Sequence, residues 1–308
     1  MSPGHMKNHR KKSFVFIVNP IAGNRKYKDI EKKILSYFTA TDIEPLICLS
    51  EYAGHAEILC RQLVEQPVPP ATIVAVGGDG TVNDLANGIG LSRVPLGIIP
   101  HGSGNGFARH LGIPMNVERA LEVLRQGFSV SVDMVRIGEK YSLNVSGVGF
   151  DALVAWKFQH SKARGLSSYA RIALGEFFRY QPETYVVSAD GKKSRYKAFL
   201  ISLANSSQFG NNFLISPEAS VCDGYLDLCI LHPFSRWTIL GFLVKLLCKK
   251  IDSSPYLEII KAKKVCIQQP GEIWHLDGEA MSGGSELQVE VVERALSVII
   301  PESRQNHI

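Results

Sequence analysis

Residues 72–81, Thr-Ile-Val-Ala-Val-Gly-Gly-Asp-Gly-Thr, lead from a continuous apolar run directly into a glycine-rich loop. An apolar run of this length is typical of a strand that is buried on both faces of a sheet. Two other segments repeat the arrangement: the run at 13–18 ends in the loop 19–23, and the run at 95–99 ends in the loop 100–106. Because helical apolar spacing lies between these strands, the first half of the chain is predicted to be a doubly wound parallel α/β domain.

The pattern changes after about residue 132, where alternation with a period of two replaces the helical spacing. Four segments alternate in this way: 183–189, 195–203, 256–268 and 286–300. The Asp190-Gly191 pair predicts a hairpin turn between the first two segments, and one helical pattern at 167–178 interrupts the series. The second half is therefore predicted to be an antiparallel β-sandwich.

The whole-chain composition is that of a globular protein. Of the 308 residues, 45% are hydrophobic and 20% are charged, which is enough apolar material for two cores. The net charge of +5 suits an anionic membrane surface or a polyphosphate ligand. It is too small to indicate nucleic-acid binding. The six cysteines form no CxxC pair, which argues against a zinc site, and the start of the sequence shows no secretory signal, so a cytoplasmic protein is expected.

Residues 237–251 form the most apolar stretch of the chain. Lys245 interrupts this stretch, and Lys249 and Lys250 close it, so it is too short for the roughly 20 apolar residues of a membrane-spanning helix. It is predicted to be either a core helix or an interfacial segment that contacts a membrane.

The three glycine-bearing loops predict a site for a polyphosphate. Ligands of open α/β sheets bind in the crevice beyond the carboxyl ends of the strands. Glycines let backbone N–H groups approach phosphate oxygens closely, and the N-terminus of a following helix adds positive potential. The alternative, that the glycines only form tight turns, explains one loop better than it explains three. Neither a Walker A motif nor a GxGxxG motif occurs at these loops, so a P-loop or a Rossmann dinucleotide site is not expected.

Asp79 is the loop residue that turn formation explains least well. A carboxylate among phosphate-binding amides would repel the phosphates unless a cation lay between them. Mg²⁺ held by a carboxylate oxygen and by waters removes this conflict. An Asp that stabilises a turn through its own hydrogen bonds is the alternative.

Two further acidic segments are candidates for chemistry. Asp277-Gly278-Glu279 follows a strand-like segment, and phosphoryl transfer to an alcohol needs a base such as Asp or Glu. Alternatively, it is only a hairpin turn. The segment Asp223-Gly224-Tyr225-Leu226-Asp227 is either a solvated turn or a second metal site. The histidines His101, His110 and His275 are predicted to satisfy local hydrogen bonds rather than to act as catalysts.

Taken together, these motifs resemble the diacylglycerol kinase catalytic-domain family, which includes sphingosine kinases, ceramide kinases and small bacterial lipid kinases. The matching segments follow the family order over almost the whole chain: Asn19-Pro20 with Gly23, GGDGT at 77–81 with Asn83 and Asn87-Gly88, IPHGSGNGFARHLGIP at 99–114, GVGFDA at 147–152, CDGYLDL at 222–228 and LDGE at 276–279. The GGDGT loop alone is shared with NAD kinases, whereas the ordered set is specific.

The resemblance implies a domain division and a site. An ATP-binding α/β domain at 13–132 would be joined by the C-terminal segment 295–308, and a β-rich lipid-binding domain would cover 133–294. The polar, basic residues 1–12 are expected to be a disordered N-terminus. The resemblance implies an active site in the cleft between the domains. The residues implied to hold the nucleotide and Mg²⁺ are Asn19, Pro20, Gly23, Gly77, Gly78, Asp79, Gly80, Thr81, Asn83, Gly102, Ser103, Gly104 and Asn105.

The resemblance also implies catalytic and structural roles for acidic residues. Asp277 or Glu279 would deprotonate the lipid hydroxyl, and Asp79 would be the third catalytic residue. Asp223 and Asp227, with Asp133, resemble the acidic positions that are linked to a structural Mg²⁺ in bacterial members.

The third loop departs from the bacterial pattern. Bacterial diacylglycerol kinases of this family typically carry Gly-Thr-Thr-Asn-Asp-Phe-Ala there. In this chain, Ser103 and Gly104 replace the threonines and Gly106 replaces the Asp. The Gly-Ser-Gly-Asn form resembles the loop of sphingosine and ceramide kinases, which extends the candidate substrates beyond diacylglycerol.

These features predict a lipid kinase that transfers the γ-phosphoryl group of ATP to the hydroxyl of a diacylglycerol or sphingoid-type lipid at a membrane surface. The expected protein is cytoplasmic, touches the membrane peripherally without a transmembrane segment, and binds no nucleic acid. An exposed edge strand would allow a homodimer. The alternatives are an NAD kinase-like enzyme acting on a soluble substrate and a non-catalytic lipid or nucleotide sensor.

Overall fold

The computed structural model describes residues 12–23, 27–161, 165–210, 213–235 and 254–305, and the elements named below belong to these ranges. The first half alternates strands and helices: β1 (Lys12–Val18), α1 (Tyr27–Phe38), β2 (Ile43–Leu49), α2 (His55–Val64), β3 (Thr72–Gly77), α3 (Asp79–Ile89), β4 (Leu96–Pro100), α4 (Gly106–His110), α5 (Val117–Gln126) and β5 (Ser129–Ile137).

The second half consists mainly of strands. Its elements are β6 (Lys140–Ser142), β7 (Val145–Gly149), α6 (Phe150–Gln159), α7 (Leu166–Phe177), β8 (Glu183–Ala189), β9 (Lys192–Ala198), β10 (Leu200–Ala204), β11 (Gln208–Gly210), β12 (Phe213–Leu214), β13 (Leu226–Leu231), β14 (Leu257–Ala262), β15 (Lys264–Gln268), β16 (Ile273–Leu276), β17 (Glu279–Ser282) and β18 (Glu286–Ile299). A short 3₁₀ helix, Glu302–Arg304, follows β18.

One ten-stranded sheet runs through both halves of the molecule. Its order is β2-β1-β3-β4-β18-β15-β8-β9, with β5 beside β18 and β6 beside β5. Strands β1 to β4 pair in parallel, and the end of β18 extends this parallel part, with Val298 opposite Leu96. The rest of β18 pairs antiparallel with β15 and β5, so one strand belongs to both halves.

Helices cover the parallel strands on both faces. On β3, Ile73 and Ala75 pack in one apolar cluster with residues of α2, α3 and α4. Val74 and Val76 pack in another cluster, with residues of α1 and α5. All four side chains are fully buried, which accounts for the continuous apolar run in the sequence. The predicted doubly wound parallel domain is confirmed.

The second sheet is antiparallel and has the order β14-β13-β10-β7-β16-β17. It packs against the antiparallel part of the first sheet. One apolar cluster unites Val187 and Ile267 of the first sheet with Ile201 and Leu228 of the second. The predicted antiparallel β-sandwich is therefore confirmed.

Two segments predicted as single strands are each a pair of strands. The segment 195–203 divides at Phe199 between β9 and β10, and the segment 256–268 divides at Lys263 between β14 and β15. In each pair one strand belongs to the first sheet and the other to the second, so the chain turns a corner of the sandwich. Period-two alternation reports strand character but not the sheet to which a strand belongs.

Helix α6 is absent from the sequence-based prediction. Its sequence, FDALVAWKFQ, has apolar residues on most sides of the helix, so the periodicity of an amphipathic helix is missing. Ala152, Val154 and Ala155 are its buried residues.

Two predictions concern the N-terminus and the most apolar stretch of the chain. Strand β1 begins at Lys12, which was predicted to be disordered, while residues 1–11 and the apolar stretch 237–251 lie outside the described residues. No helix within the described ranges is long and apolar enough to cross a membrane.

Edge strand β9, KKSRYKA, carries four basic residues, so two copies paired edge to edge would bring like charges together. The homodimer stays a prediction, and β9 is a poor strand for it.

Candidate functional site

The three glycine-bearing loops lie together at one edge of the parallel sheet. Gly77 at the end of β3 pairs with Pro100 at the end of β4. The backbone N–H of His101 donates to the carbonyl of Gly77 at 2.7 Å, and that of Asn19, just after β1, donates to the carbonyl of Val76 at 3.0 Å. The topology therefore brings together residues as far apart in the sequence as Asn19 and His101.

Helix α3 begins inside the second glycine-bearing loop, at Asp79. Gly78 precedes the helix, and Asp79, Gly80 and Thr81 form its first turn. The first N–H groups of a helix have no partner within it and carry the positive end of the helix dipole. The side-chain amide of Asn19 donates to Thr81 Oγ1 at 3.3 Å, which ties the first loop to this turn.

The second and third loops are in backbone contact. A Cβ atom added to Gly102 would lie 2.4 Å from the Cα of Gly78, a distance that real Cβ contacts do not reach. Any larger residue at position 102 would push the loops apart. The glycine is required here by close approach and not by a turn.

Asn105 shapes the third loop. Its backbone has a φ of +51°, its Oδ1 accepts the N–H of Gly102 at 3.0 Å, and its Nδ2 donates to the carbonyl of the same glycine at 2.8 Å. The side chain is buried and thus holds the loop closed, which leaves Ser103 and Gly104 at the tip. Arg109 Nε donates to the carbonyl of Gly104 at 3.1 Å.

The first loop is closed against the third by Gly23. This residue has a φ of +56°, and a Cβ on it would lie 2.8 Å from both Nε2 and the carbonyl oxygen of His101. Pro20 is half-buried in the same loop.

The carboxylate of Asp79 faces the start of α4. Its Oδ1 accepts the backbone N–H of Phe107 at 3.3 Å. Burial raises the pKa of Asp79, and the nearby charge of Asp277 raises it further, while the backbone N–H groups of Phe107, Gly106 and Asn105 act in the opposite direction. The amides of the third loop therefore support Asp79, which the sequence patterns had treated as separate from that loop.

Asp277 forms the tight turn between β16 and β17 with Gly278, at φ values of +48° and +89°. Its Oδ2 accepts hydrogen bonds from Asn83 Nδ2 at 2.7 Å and from the N–H of Leu143 at 2.9 Å. Its Oδ1 accepts from Ser142 Oγ at 2.5 Å and from the N–H of Asn144 at 3.0 Å. Four hydrogen bonds therefore occupy this carboxylate.

Glu279 differs from Asp277 in having no hydrogen bond to its side chain from the described residues. A Cβ on Gly80 would lie 2.6 Å from Glu279 Oε1, so the carboxylate touches the first turn of α3. Crowding by protein atoms raises the pKa of Glu279, and the charge of Asp277 adds to this, while Lys140 opposes it. The residue as a whole keeps exposed surface, and its carboxylate has no hydrogen-bond partner among the described residues.

A buried histidine supports the turn that carries these acids. The backbone N–H of Gly278 donates to His275 Nδ1 at 3.2 Å, so the ring carries its proton on Nε2 and donates it to Asp151 Oδ2 at 3.1 Å. Ser202 Oγ donates to the same oxygen at 3.1 Å. The local role predicted for His275 is confirmed. No sequence pattern predicted a role for Asp151, although it lies in the matching segment 147–152.

Asn83 joins the two halves instead of facing the loop tips. Its Nδ2 donates to the carbonyl of Tyr141 at 2.9 Å as well as to Asp277. One helical turn later, Asn87 donates to the same carbonyl at 2.9 Å and accepts the N–H of Tyr141 at 2.8 Å. These hydrogen bonds attach helix α3 to β6. The nucleotide-binding role of Asn83 stays a prediction.

Asp84 was not singled out by the sequence. Burial, Glu279 and Glu57 raise the pKa of Asp84 to about 7, and Lys140 acts against them. It lies four residues, or about one helical turn, after Gly80, but its pKa depends on Glu279 and Glu57, which are distant in the sequence.

Comparisons with known proteins show the family of the chain. The diacylglycerol kinase catalytic domain matches residues 13–137, and the YegS C-terminal NAD kinase beta sandwich-like domain matches residues 144–300. The "Probable lipid kinase YegS" of Escherichia coli (strain SMS-3-5 / SECEC) is 30% identical over 239 residues, which are 75% of this chain and 78% of that protein. The chain belongs to the diacylglycerol kinase catalytic-domain family.

The likeness to this kinase family extends over the whole fold. A diacylglycerol kinase of Mycobacterium tuberculosis (strain ATCC 25618 / H37Rv) is 25% identical over 311 residues, covering 98% of this chain and 99% of that protein. The crystal structure of a diacylglycerol kinase from Bacillus anthracis str. Sterne has the same fold, with a TM-score of 0.73, 22% identity, and coverage of 95% of this chain and 98% of that one. The resemblance inferred from the motifs is confirmed.

The acidic positions that the family resemblance links to a structural Mg²⁺ are not arranged as a metal site in this kinase. Within the described ranges, no group of three or more His, Cys, Asp or Glu side chains is placed to hold a metal ion. Asp133 accepts backbone N–H groups, while Asp223 and Asp227 both lie against Lys261. The structural Mg²⁺ at these three residues stays a prediction.

Proposed function

We propose that this member of the family is an ATP-dependent lipid kinase that transfers the γ-phosphoryl group to a lipid hydroxyl. The observation that carries the proposal is the contact between Glu279, from the β-rich half, and Gly80, in the first turn of α3. A carboxylate able to accept a proton thus lies beside the backbone amides that suit a polyphosphate. In-line transfer between a nucleotide and an alcohol needs this juxtaposition.

The first turn of α3 is proposed to bind the phosphates. Its N–H groups are unpaired within the helix and carry positive potential. Asn19 contacts Thr81 of this turn, and Gly102 of the third loop lies against Gly78, just before the turn. The amides of Asn105, Gly106 and Phe107 are turned towards Asp79, so the phosphates are expected to contact the tip of the third loop and not its end.

Asp79 is proposed to hold the Mg²⁺ of the nucleotide. Asp79 fits such an ion because it lies in the first turn of α3, beside the amides proposed to bind the phosphates, and the nearby charge of Asp277 favours a cation there. Mg²⁺ is commonly bound by one or two carboxylates together with waters and substrate phosphates. When bound, it would neutralise charge on the phosphates.

Glu279 is proposed as the base, and Asp277 as the residue that positions it. The lone pairs of Asp277 are taken by four hydrogen bonds, whereas Glu279 has a free carboxylate. The hydroxyl proton of the lipid would pass to Glu279 as the oxygen attacks the γ-phosphorus. A raised pKa brings a carboxylate closer to the operating pH and makes it a better base.

The acyl chain is proposed to bind near α6, beside the acidic turn. An apolar cluster there contains Phe177, Phe199 and Leu200, packed with Phe150 and Tyr180. It adjoins exposed apolar side chains on α7 and just after it, Leu174 and Phe178, which are 62% and 52% exposed. Such a surface suits a lipid better than a second nucleotide, and it supports peripheral contact with a membrane.

Label transfer from γ-labelled ATP with Mg²⁺ tests the proposal. The acceptors are diacylglycerol, sphingoid bases, ceramide, monoacylglycerol and phosphatidylglycerol in mixed micelles, with NAD in parallel without detergent. Label in one lipid would support the proposal and name its substrate class. Label in NAD alone would overturn it in favour of the NAD kinase-like alternative, for which the sandwich-like second domain is the motivating observation.

The matched variant for this assay is Asp79→Ala. We expect turnover to be lost and the melting temperature to stay near that of the unchanged protein. Full activity in the variant would contradict the role of Asp79. Binding of Mg·ATP without label in any lipid would favour the sensor alternative.

A further inference from the structure

Asp133, Asp223 and Asp227 lie where three parts of the chain meet, and this region is called the acidic junction below. The backbone N–H of Gly224 donates to Asp133 Oδ2 at 2.8 Å, and the N–H of Arg294 donates to Asp133 Oδ1 at 2.7 Å. Asp133 is 1% exposed. Both of its oxygens are therefore committed to backbone groups and are poorly placed to coordinate a metal.

Lys261 lies against the other two acids. Its Nζ is 2.6 Å from Asp223 Oδ2 and 3.5 Å from Asp227 Oδ1. The placement follows from strand pairing, because Lys261 of β14 is directly opposite Asp227 of β13. Asp227 Oδ2 in turn accepts a hydrogen bond from Ser216 Oγ at 2.6 Å.

We infer that the ammonium group of Lys261 replaces the divalent cation expected at the acidic junction, so that this kinase needs no structural metal there. Mg²⁺ demands oxygen ligands at about 2.0–2.1 Å in near-octahedral geometry. Here Asp223 and Asp227 face an ammonium, and an added dication would be repelled by it. The loop at 222–225 keeps its shape through Lys261 and Asp133 instead.

A neighbouring lysine provides a matched comparison. Lys263 lies two residues further along, its Nζ is 2.5 Å from Glu293 Oε1, and it lies 5.1 Å from the centre of the Tyr225 ring. It contacts the same loop but neither Asp223 nor Asp227. Removing it should weaken the loop without creating a vacant site between two carboxylates.

Thermal unfolding of the full chain without nucleotide tests the inference. The unchanged protein should melt within about 1 °C in EDTA and in millimolar MgCl₂, because a ligand stabilises only the state that binds it. Lys261→Met should lower the melting temperature in EDTA by several degrees, roughly 2–4 °C for each kcal/mol lost, and MgCl₂ should restore most of it. Lys263→Met should show no recovery with MgCl₂.

Bound Mn²⁺, counted by electron paramagnetic resonance on the same nucleotide-free samples, gives a second readout. Lys261→Met should gain one site relative to the unchanged protein. A melting temperature of the unchanged protein that falls in EDTA and returns with MgCl₂ would overturn the inference. So would a Lys261→Met protein that loses stability and regains none with Mg²⁺. None of these readouts depends on phosphoryl transfer, so the lipid kinase proposal stands or falls separately.

Discussion

The molecule has two groups of acidic residues, and they differ in how their charge is compensated. Around the first turns of α3, Asp79, Asp84 and Glu279 have raised pKa values, and among the described residues Lys140 is the one basic side chain that opposes this shift for Asp84 and Glu279. At the acidic junction, every carboxylate is matched by backbone N–H groups or by Lys261. Uncompensated charge costs stability and is typical of sites that bind a cation or move a proton. The same residue types are therefore proposed to bind ligands in one place, and they stabilise the fold in the other.

The largest expected effect is on catalysis at the cleft. Glu279→Gln keeps the shape of the side chain but removes the proposed base, so label transfer should fall by about 10²–10⁴-fold. The pH–rate profile of the unchanged enzyme should lose activity as the pH falls through the raised pKa of Glu279, and that limb should vanish in the variant. A variant that keeps both its rate and its acid limb would move the base elsewhere.

Asp277→Asn should instead act mainly on stability. An amide cannot accept the four hydrogen bonds that now end on the carboxylate, and the loss is expected to cost roughly 2–4 kcal/mol of unfolding free energy. Denaturant unfolding measures this quantity. If Asp277→Asn loses activity but not stability, Asp277 acts in the chemistry and not in positioning.

Two smaller effects on the melting temperature, opposite in sign, distinguish Asp84 from the acidic junction. The folded-state pKa of Asp84 is raised to about 7, so the stability that its protonated form confers is lost as the pH rises through 7. Asp84→Asn should therefore raise the melting temperature at pH 8 by about 2–4 °C, and less at pH 5.

Asp227→Asn is the counterpart at the acidic junction. It should lower the melting temperature at pH 8, because it removes a charge that Lys261 and Ser216 contact. If Asp84→Asn and Asp227→Asn both raise the melting temperature, or if neither does, the two regions do not differ in charge compensation as described.

The smallest effect is expected at the tip of the third loop. Ser103 is exposed and its hydroxyl makes no hydrogen bond within the described residues. If backbone groups bind the phosphates there, Ser103→Ala should leave the melting temperature unchanged and alter the KM for ATP by less than about threefold. A larger rise in KM would mean that the hydroxyl itself contacts the nucleotide.

The sequence predicted the fold class because buried parallel strands and half-buried antiparallel strands have different periodicities. It did not predict the corners at Phe199 and Lys263, since alternation does not say which sheet a strand joins. It could not predict the partners of the acids either. The proposal of Glu279 rather than Asp277 as the base depends on the hydrogen bonds that Ser142 and Asn83 make to Asp277. The contact of Lys261 with Asp227 depends on the pairing of β13 with β14. These contacts join residues that are distant in the sequence.

Strand β18 affects how the molecule unfolds, because it belongs to both halves. Leu287 and Val289 lie in the core of the sandwich, while Leu296 and Val298 lie in the core of the parallel half. A fragment ending at residue 137 would lack the strand that pairs with β4, leaving that strand as an unprotected edge. The two halves are thus expected to melt in a single transition, and neither should be recoverable as an autonomous soluble piece.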